Sequence, residues 1–177
     1  MRSTYKILNE DYPYFITSTI VSGINVFTAE KYFLIMMENF RFYQDLYNIE
    51  VIAFVIMPNH FHMICNSKNL KKSIQSLKSY TAKEIINQLE SDNKMFILDK
   101  MKENKKNYKA ESNYQVWQEG YHPQQILDYD MLKQKIEYIH YNPVKKNLVK
   151  NPEDWNYSSA KYYIKGEYCG IKITPCI

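Results

Sequence analysis

The sequence predicts an α+β fold, a ferredoxin-like antiparallel sheet with helices packed on one face. Three observations predict it. Short runs rich in β-branched and aromatic residues alternate with longer stretches whose apolar residues recur at helical spacing. The order of these runs is strand, helix, strand, strand, helix, strand, helix, and the first six make the split β-α-β pattern. A chain of 177 residues is long enough for one domain with a real core and too short for two comfortable ones. A single domain over residues 1–177 is therefore expected, with a C-terminal tail from about residue 150.

Tyr14 to Ile20 (Tyr-Phe-Ile-Thr-Ser-Thr-Ile) has strand composition. Val21 to Phe27, interrupted by Ser22-Gly23, either extends that strand or forms a loop. Thr28 is a plausible N-cap, and Ala29 to Tyr47 reads as a helix with Tyr32, Phe40, Tyr43 and Tyr47 at helical spacing. Ile49 to Met57 is a nearly continuous apolar run, as in a central strand covered on both faces. Pro58-Asn59 makes a turn and His60 to Cys65 returns, so the pair reads as a hairpin.

A second helix is expected to start near Ser67 or Asn69, with Leu70, Ile74, Leu77, Thr81, Ile85 and Leu89 along one stripe. Asp92 to Asn113, rich in Lys and Asn with a short apolar knot at Met95 to Leu98, reads as a mobile loop. Tyr114 to Gln118 resumes strand character, and Gly120 breaks it. Asp128 or Asp130 caps a third helix running to about Tyr141, with Leu132, Ile136 and Ile139 on its buried side. Pro143 is expected to stop that helix. The tail, with Trp155, Tyr157-Ser158-Ser159 and Tyr162-Tyr163, is expected to pack on the domain.

An apolar fraction of 45% excludes a disordered chain. The 17 tyrosines accompany many Asn, Lys and Ile, the signature of AT-rich coding, so position and not abundance must single out a catalytic tyrosine. The net charge of +4 suits a nucleic-acid partner without requiring one. Cys65, Cys169 and Cys176 follow no zinc or disulfide spacing. No stretch is apolar enough for an export signal or a membrane span, so the expectation is a soluble protein of a reducing cytoplasm with no membrane partner.

The chain's chemistry is organised around Val55 to Met63, Val-Ile-Met-Pro-Asn-His-Phe-His-Met. Alternation along a strand puts His60 and His62 on one face and Phe61 and Met63 on the other. Two imidazoles side by side can clip one divalent cation, although such a pair alone is more often structural, and a stable site needs a third ligand. Tyr138 and Asn142 lie four residues apart on one face of the third helix. Asn142 stands in the last turn, free to turn toward a metal. It also reads as a simple helix terminator with Pro143, and Tyr138 as a half-buried aromatic.

Taken together, Met57-Pro58-Asn59-His60-Phe61-His62, then Tyr138-Ile139-His140-Tyr141-Asn142-Pro143-Val144, then Trp155-Asn156-Tyr157-Ser158-Ser159 resemble the single-tyrosine HUH transposases, HUH meaning His, a hydrophobic residue, His. Within them the pattern is similar to the REP-associated tyrosine transposase branch, whose Trp-Gln segment is matched by Trp117-Gln118 before Tyr121-His122. The resemblance runs from the first strand through Ser159. It implies an RRM-like or ferredoxin-like sheet with the histidines on a central strand and Tyr138 as nucleophile on a C-terminal helix. His60, His62 and Asn142 are implied as ligands of Mg²⁺ or Mn²⁺.

The implied activity is cleavage and rejoining of single-stranded DNA near a hairpin through a 5′-phosphotyrosine, with no nucleotide cofactor. Tyr141 is the main rival nucleophile and Tyr80 a weaker one; His140 is expected to be structural or solvent-facing. Candidate phosphate contacts are Lys71, Lys72, Lys78, Lys83, Lys145, Lys146 and Lys150, with exposed tyrosines as stacking surfaces for unpaired bases. The Lys-rich stretch from Lys100 to Lys109 is longer than the branch leads one to expect. A hairpin-binding module that no longer cleaves, and a metal-dependent hydrolase using water, are the competing readings. A monomer is favoured, with a dimer as the alternative.

Overall fold

The computed structural model describes residue 7, residues 9–106 and residues 112–175. Residues 107–111 of the expected Lys-rich loop, and Cys176, lie outside the described residues. The elements are β1 (Tyr14–Thr19), a 3₁₀ turn (Val21–Gly23), α1 (Glu30–Tyr47), β2 (Glu50–Met57), β3 (His60–Asn66), α2 (Leu70–Ser91), α3 (Met95–Glu103), β4 (Gln124–Gln125), α4 (Tyr129–Lys145), a second 3₁₀ turn (Pro152–Asp154) and α5 (Ala160–Lys165). The strands form one antiparallel sheet in the order β2-β3-β1-β4. This is the ferredoxin-like arrangement, with β3 inside the sheet.

Alternation explains how the two faces are filled. Phe61, Met63 and Cys65 of β3, with Tyr14 and Ile16 of β1, pack under α1 and α2. Phe15 of β1 and Ile64 of β3 point the other way, into a second core with Leu132, Ile136 and Ile139 of α4. The sequence places the helices on one face; they occupy both, because α4 carries its own apolar stripe and must bury it. Doubly covered β2 is accordingly apolar from Val51 to Met57, with Phe54 and Ile56 on one side and Ala53, Val55 and Met57 on the other. Fully buried Phe61 meets both Phe40 and Trp117 edge-on, at 5.2 and 5.6 Å, so truncation to Ala should cost about 3–5 kcal/mol.

Several local expectations are corrected. The residue flanking α1 is Ala29, with no side-chain cap, so Thr28 does not cap the helix. Residues 92–113 include α3, whose Leu98 and Met101 are completely buried; the apolar knot nucleates a helix that docks on the core. Tyr114 to Gln118 makes a single bridge, Trp117 to Ile20, and the named edge strand is Gln124–Gln125. The whole segment nevertheless follows β1: Gln118 N–H donates to Thr19 (2.8 Å), and the Tyr121 carbonyl accepts from Thr17 (3.0 Å). Positive φ at Gly120 (75°) and His122 (40°) interrupts the ladder between these contacts.

Pro143 lies inside α4, which continues to Lys145. Proline removes only one donor, and this close to the end the helix closes around it: Lys146 N–H reaches the Asn142 carbonyl (3.2 Å) and Leu148 N–H the Pro143 carbonyl (3.0 Å).

The tail covers the otherwise open edge of β2. Ile56 N–H donates to the Tyr157 carbonyl (2.8 Å), and Ser159 N–H donates to the Phe54 carbonyl (3.0 Å). Trp155 Nε1 donates to the Ile56 carbonyl (2.9 Å). The Trp-Asn-Tyr-Ser-Ser segment thus blocks an edge that would pair with other chains. No helix among the described residues is long and apolar enough to cross a membrane. Cys65 and Cys169 are free and buried, and burial pushes the Cys65 thiol up to about 12, far from a reactive thiolate.

Candidate active site

The hairpin turn between β2 and β3 is clamped by the loop that follows β1. The Pro58 carbonyl accepts from Val26 (3.0 Å) and Phe27 (2.9 Å), and the Asn59 carbonyl accepts from Ile20 (2.8 Å). Asn59 Nδ2 donates to the carbonyl of Gly23, a residue at φ +66° that only glycine adopts without strain. These bonds fix the start of β3, where His60 pairs with Thr19 and Met57, and His62 with Thr17 and Val55. The two imidazoles lie on one face, 4.7 Å apart between centroids.

Each imidazole is held through Nδ1. His60 Nδ1 is 2.6 Å from Asn59 Oδ1. The Asn59 amide nitrogen is committed to Gly23, so Oδ1 is the acceptor, His60 carries its proton on Nδ1, and its Nε2 keeps a lone pair. His62 Nδ1 is 2.8 Å from Thr17 Oγ1, and His62 Nε2 is buried without a hydrogen-bond partner. Burial first, then His60 and Lys135, push His62 down to about 3. Burial first, then Lys146, lowers His60. Both rings are therefore neutral at pH 7, the form that ligates metals.

Helix α4 brings the tyrosine to this face. Asp128 caps it by accepting from Met131 N–H (2.8 Å), and Leu132, Ile136 and Ile139 seat it on the sheet. The Tyr138 ring meets His62 edge-on at 5.2 Å and Phe15 edge-on at 5.9 Å. Phe15 in turn stacks on His62 at 5.2 Å and 22°. Tyr138 remains 41% exposed, so substrate can reach it. Asn142 is buried one turn farther on, between Tyr138, which touches His62, and Lys146, whose charge acts on His60. Helical spacing thus puts Asn142 on the Tyr138 side of α4. Gln134, Lys135, Glu137, Tyr138, Tyr141 and Lys145 line a cleft of about 550 Å³. A larger hollow of about 630 Å³ lies between α2 and residues 112–120 and includes none of His60, His62 or Tyr138.

Among the described residues no three His, Cys, Asp or Glu side chains converge to hold a metal ion. The candidate donors are two imidazoles, one with an orphaned buried Nε2, and the amide of buried Asn142 on α4. They fit a loosely held divalent cation whose remaining positions are oxygen ligands, and not a closed zinc site.

The other sequence candidates separate clearly. Tyr141 lines the same cleft and is 50% exposed, but among the described residues no ring contact joins it to either histidine. Tyr80 is on α2, across the sheet, where it meets Tyr43. His140 is buried, bonds Ser159 Oγ through Nε2 (2.9 Å) and is pushed down to about 4 by burial. Lys71, Lys72, Lys78 and Lys83 all lie on α2, across the sheet from the histidines. Lys78 bonds the carbonyls of Gln118 (2.9 Å) and Gly120, tying α2 to the edge segment. Lys145 sits over the Tyr138 ring at 5.6 Å, the charge of Lys146 acts on His60, and Lys150 is exposed beyond the helix.

Sequence reasoning missed Phe15, Thr17 and Lys135. The signals were present: Phe15 and Thr17 share the alternation of the histidine face, and Lys135 stands three residues before Tyr138, on its side of the helix. Trp117, read only as part of a motif, is a core residue whose indole donates to Thr81 Oγ1 (3.1 Å).

No family model matches the chain. A curated Haemophilus influenzae protein named "Putative REP-associated tyrosine transposase" is 29% identical over 125 residues. The match covers 68% of this chain and 64% of that protein, so the chain spans under two thirds of that relative's length. A solved structure described as a REP-associated tyrosine transposase bound to a REP hairpin superposes with a TM-score of 0.67 at 16% identity. It covers all of this chain and 94% of the other, and establishes the shared fold. In sequence and in fold, the chain is similar to proteins described as REP-associated tyrosine transposases.

Proposed function

We propose that this chain is a transposase-type nuclease that cleaves and rejoins single-stranded DNA beside a hairpin, with Tyr138 as nucleophile. The observation that carries the reading is the contact between Tyr138 of α4 and His62 of β3, which joins a phenol to a pair of neutral, Nδ1-anchored imidazoles. Hairpin DNA as partner is supported by the solved relative, whose description has it bound to a REP hairpin.

The step balances without water or a nucleotide. The Tyr138 oxygen forms a bond to phosphorus, and the bond from phosphorus to the 3′-oxygen breaks with its electron pair on that oxygen. The phenol gives up one proton and the 3′-oxygen takes one up. The products are a 5′-phosphotyrosine and a free 3′-hydroxyl, and a second 3′-hydroxyl reverses the step onto another strand. His60, His62 and Asn142 are the residues to hold Mg²⁺ or Mn²⁺, which when bound neutralises charge on the phosphate and favours the phenolate. Tyr138 and the histidines meet within one chain, which supports a monomer as the working unit.

The test uses a 3′-labelled single strand carrying an imperfect palindrome from the DNA flanking the gene, with Mg²⁺ or Mn²⁺. Label that migrates with protein in denaturing gels supports the proposal. Turnover without an adduct supports a hydrolase, and salt-sensitive binding without cleavage supports a silent binding module.

A further inference from the structure

We infer that Lys135 is a phosphate-binding residue of this site, placed to hold the scissile phosphodiester against Tyr138. The inference rests on the strand-transfer reading above and adds a group to it. Lys135 stands three residues before Tyr138 on α4, so both project on the same side of the helix. Its ammonium is not a freely waving surface charge. It lies 4.7 Å from the centroid of Phe15, the ring that also touches His62 and Tyr138. A cation over an aromatic face is held there by the ring quadrupole. The charge is thereby fixed beside the contact between the imidazole and the phenol.

Among the described residues Lys135 forms no ion pair. Glu137 lines the same cleft, but it follows Lys135 by two residues, and helix positions two apart do not face each other. Lys145 lies over the Tyr138 ring at 5.6 Å, and the charge of Lys146 acts on His60, so two further ammonium groups bear on the proposed reaction centre. The cleft is lined by two lysines, Lys135 and Lys145, against the one carboxylate of Glu137, which favours an anion there.

Lys135 differs from its neighbours in being half-buried, whereas Lys145 and Lys146 are exposed. A partly desolvated, preplaced cation stabilises charge that grows on the phosphoryl oxygens during attack, with little reorganisation. Lys145 and Lys146 then serve the adjoining backbone, where exposed lysines add affinity more than rate.

The test compares Lys135→Gln, Lys135→Arg and Lys133→Gln, the last an exposed lysine on the same helix outside the cleft. Adduct formation is measured in a single turnover at saturating hairpin DNA, and affinity at several salt concentrations. Lys135→Gln should slow the adduct step about 10²-fold, as loss of one preorganised donor does. It should also lower the salt slope of single-strand binding by about 0.7, one phosphate contact. Lys135→Arg should recover most of the rate, and Lys133→Gln should match the unmodified protein. A Lys135→Gln protein with unchanged rate, or with an unchanged salt slope, overturns the inference. If the unmodified protein forms no adduct, the strand-transfer reading fails, and the salt slope alone still decides whether Lys135 touches phosphate.

Discussion

The Tyr138 ring meets the His62 ring edge-on, 5.2 Å between centroids, although one residue rides on a helix and the other sits inside the sheet. An edge-on aromatic contact contributes about 0.5–1.5 kcal/mol. It therefore positions the phenol without locking it. The helix itself is anchored by Leu132, Ile136 and Ile139, so the side chain can leave the histidines while α4 stays in place. A reaction that joins a tyrosine to one strand and then releases it to another needs that freedom.

Thr17 is expected to govern metal affinity through His62. Thr17→Val keeps the shape but removes the oxygen 2.8 Å from Nδ1. Loss of such an outer partner typically weakens metal binding about 10–100-fold. Mn²⁺ titration followed by electron paramagnetic resonance, with bound hairpin DNA, should show this weakening, and Thr17→Ser should restore affinity. Equal Mn²⁺ affinity in the Val variant contradicts the assigned role.

The basic residues are expected to divide by face. Lys145→Ala with Lys146→Ala should weaken hairpin binding and reduce its salt slope by about 0.7–0.9 for each phosphate no longer neutralised. Lys71→Ala with Lys72→Ala, on the opposite face, should change both much less. Lys78→Ala should lower thermal stability, because its ammonium bonds the edge-segment carbonyls. Filter binding and thermal melts of the three proteins check this pattern.

His140 predicts an acid sensitivity of the fold. Burial pushes its imidazole down to about 4, below the ordinary value of 6.5. Above pH 6.5 neither the folded nor the unfolded chain protonates it. Between pH 6.5 and about 4 the unfolded chain takes up the proton and the folded chain resists it, so stability falls with pH by about 1.4 kcal/mol per unit for this one group. His62, pushed down to about 3, adds in the same direction. Urea unfolding at pH 7.5 and 5.5 should show a smaller loss for His140→Gln than for the unmodified protein.

Ser159 links three parts of the fold: its hydroxyl meets His140 Nε2 (2.9 Å), accepts from Phe54 N–H (2.9 Å), and follows the edge pairing to β2. Ser159→Ala leaves two buried groups unsatisfied and should cost about 1–3 kcal/mol in denaturant unfolding, with the cleft residues untouched.

The sheet was legible because alternation and helical periodicity are local signals. Leu70, Ile74, Leu77, Thr81, Ile85 and Leu89 mark one stripe in sequence and are all buried. The sharing of a face by His60 and His62 follows from the same rule. Local signals fail where tertiary contacts decide. Nothing near Pro143 shows that the carbonyls around it are satisfied across the helix end, so in sequence it reads as a stop. Leu98 and Met101 look too sparse for a helix because the core they dock on comes from elsewhere in the chain. A basic helix face in sequence does not reveal which side of the sheet it occupies, so the α2 lysines group with those of α4. Thr17 and Lys135 are invisible as site residues because only folding brings β1, β3 and α4 together.

The most direct measurement is the site of covalent attachment. The protein is incubated with hairpin single-stranded DNA and Mn²⁺, the DNA is digested to a nucleotide stub, and the modified peptide is sequenced by mass spectrometry. The account predicts a phosphonucleotide on Tyr138, its absence from Tyr138→Phe, and its persistence in Tyr141→Phe. A stub on Tyr141 or Tyr80, or an adduct that survives Tyr138→Phe, contradicts it.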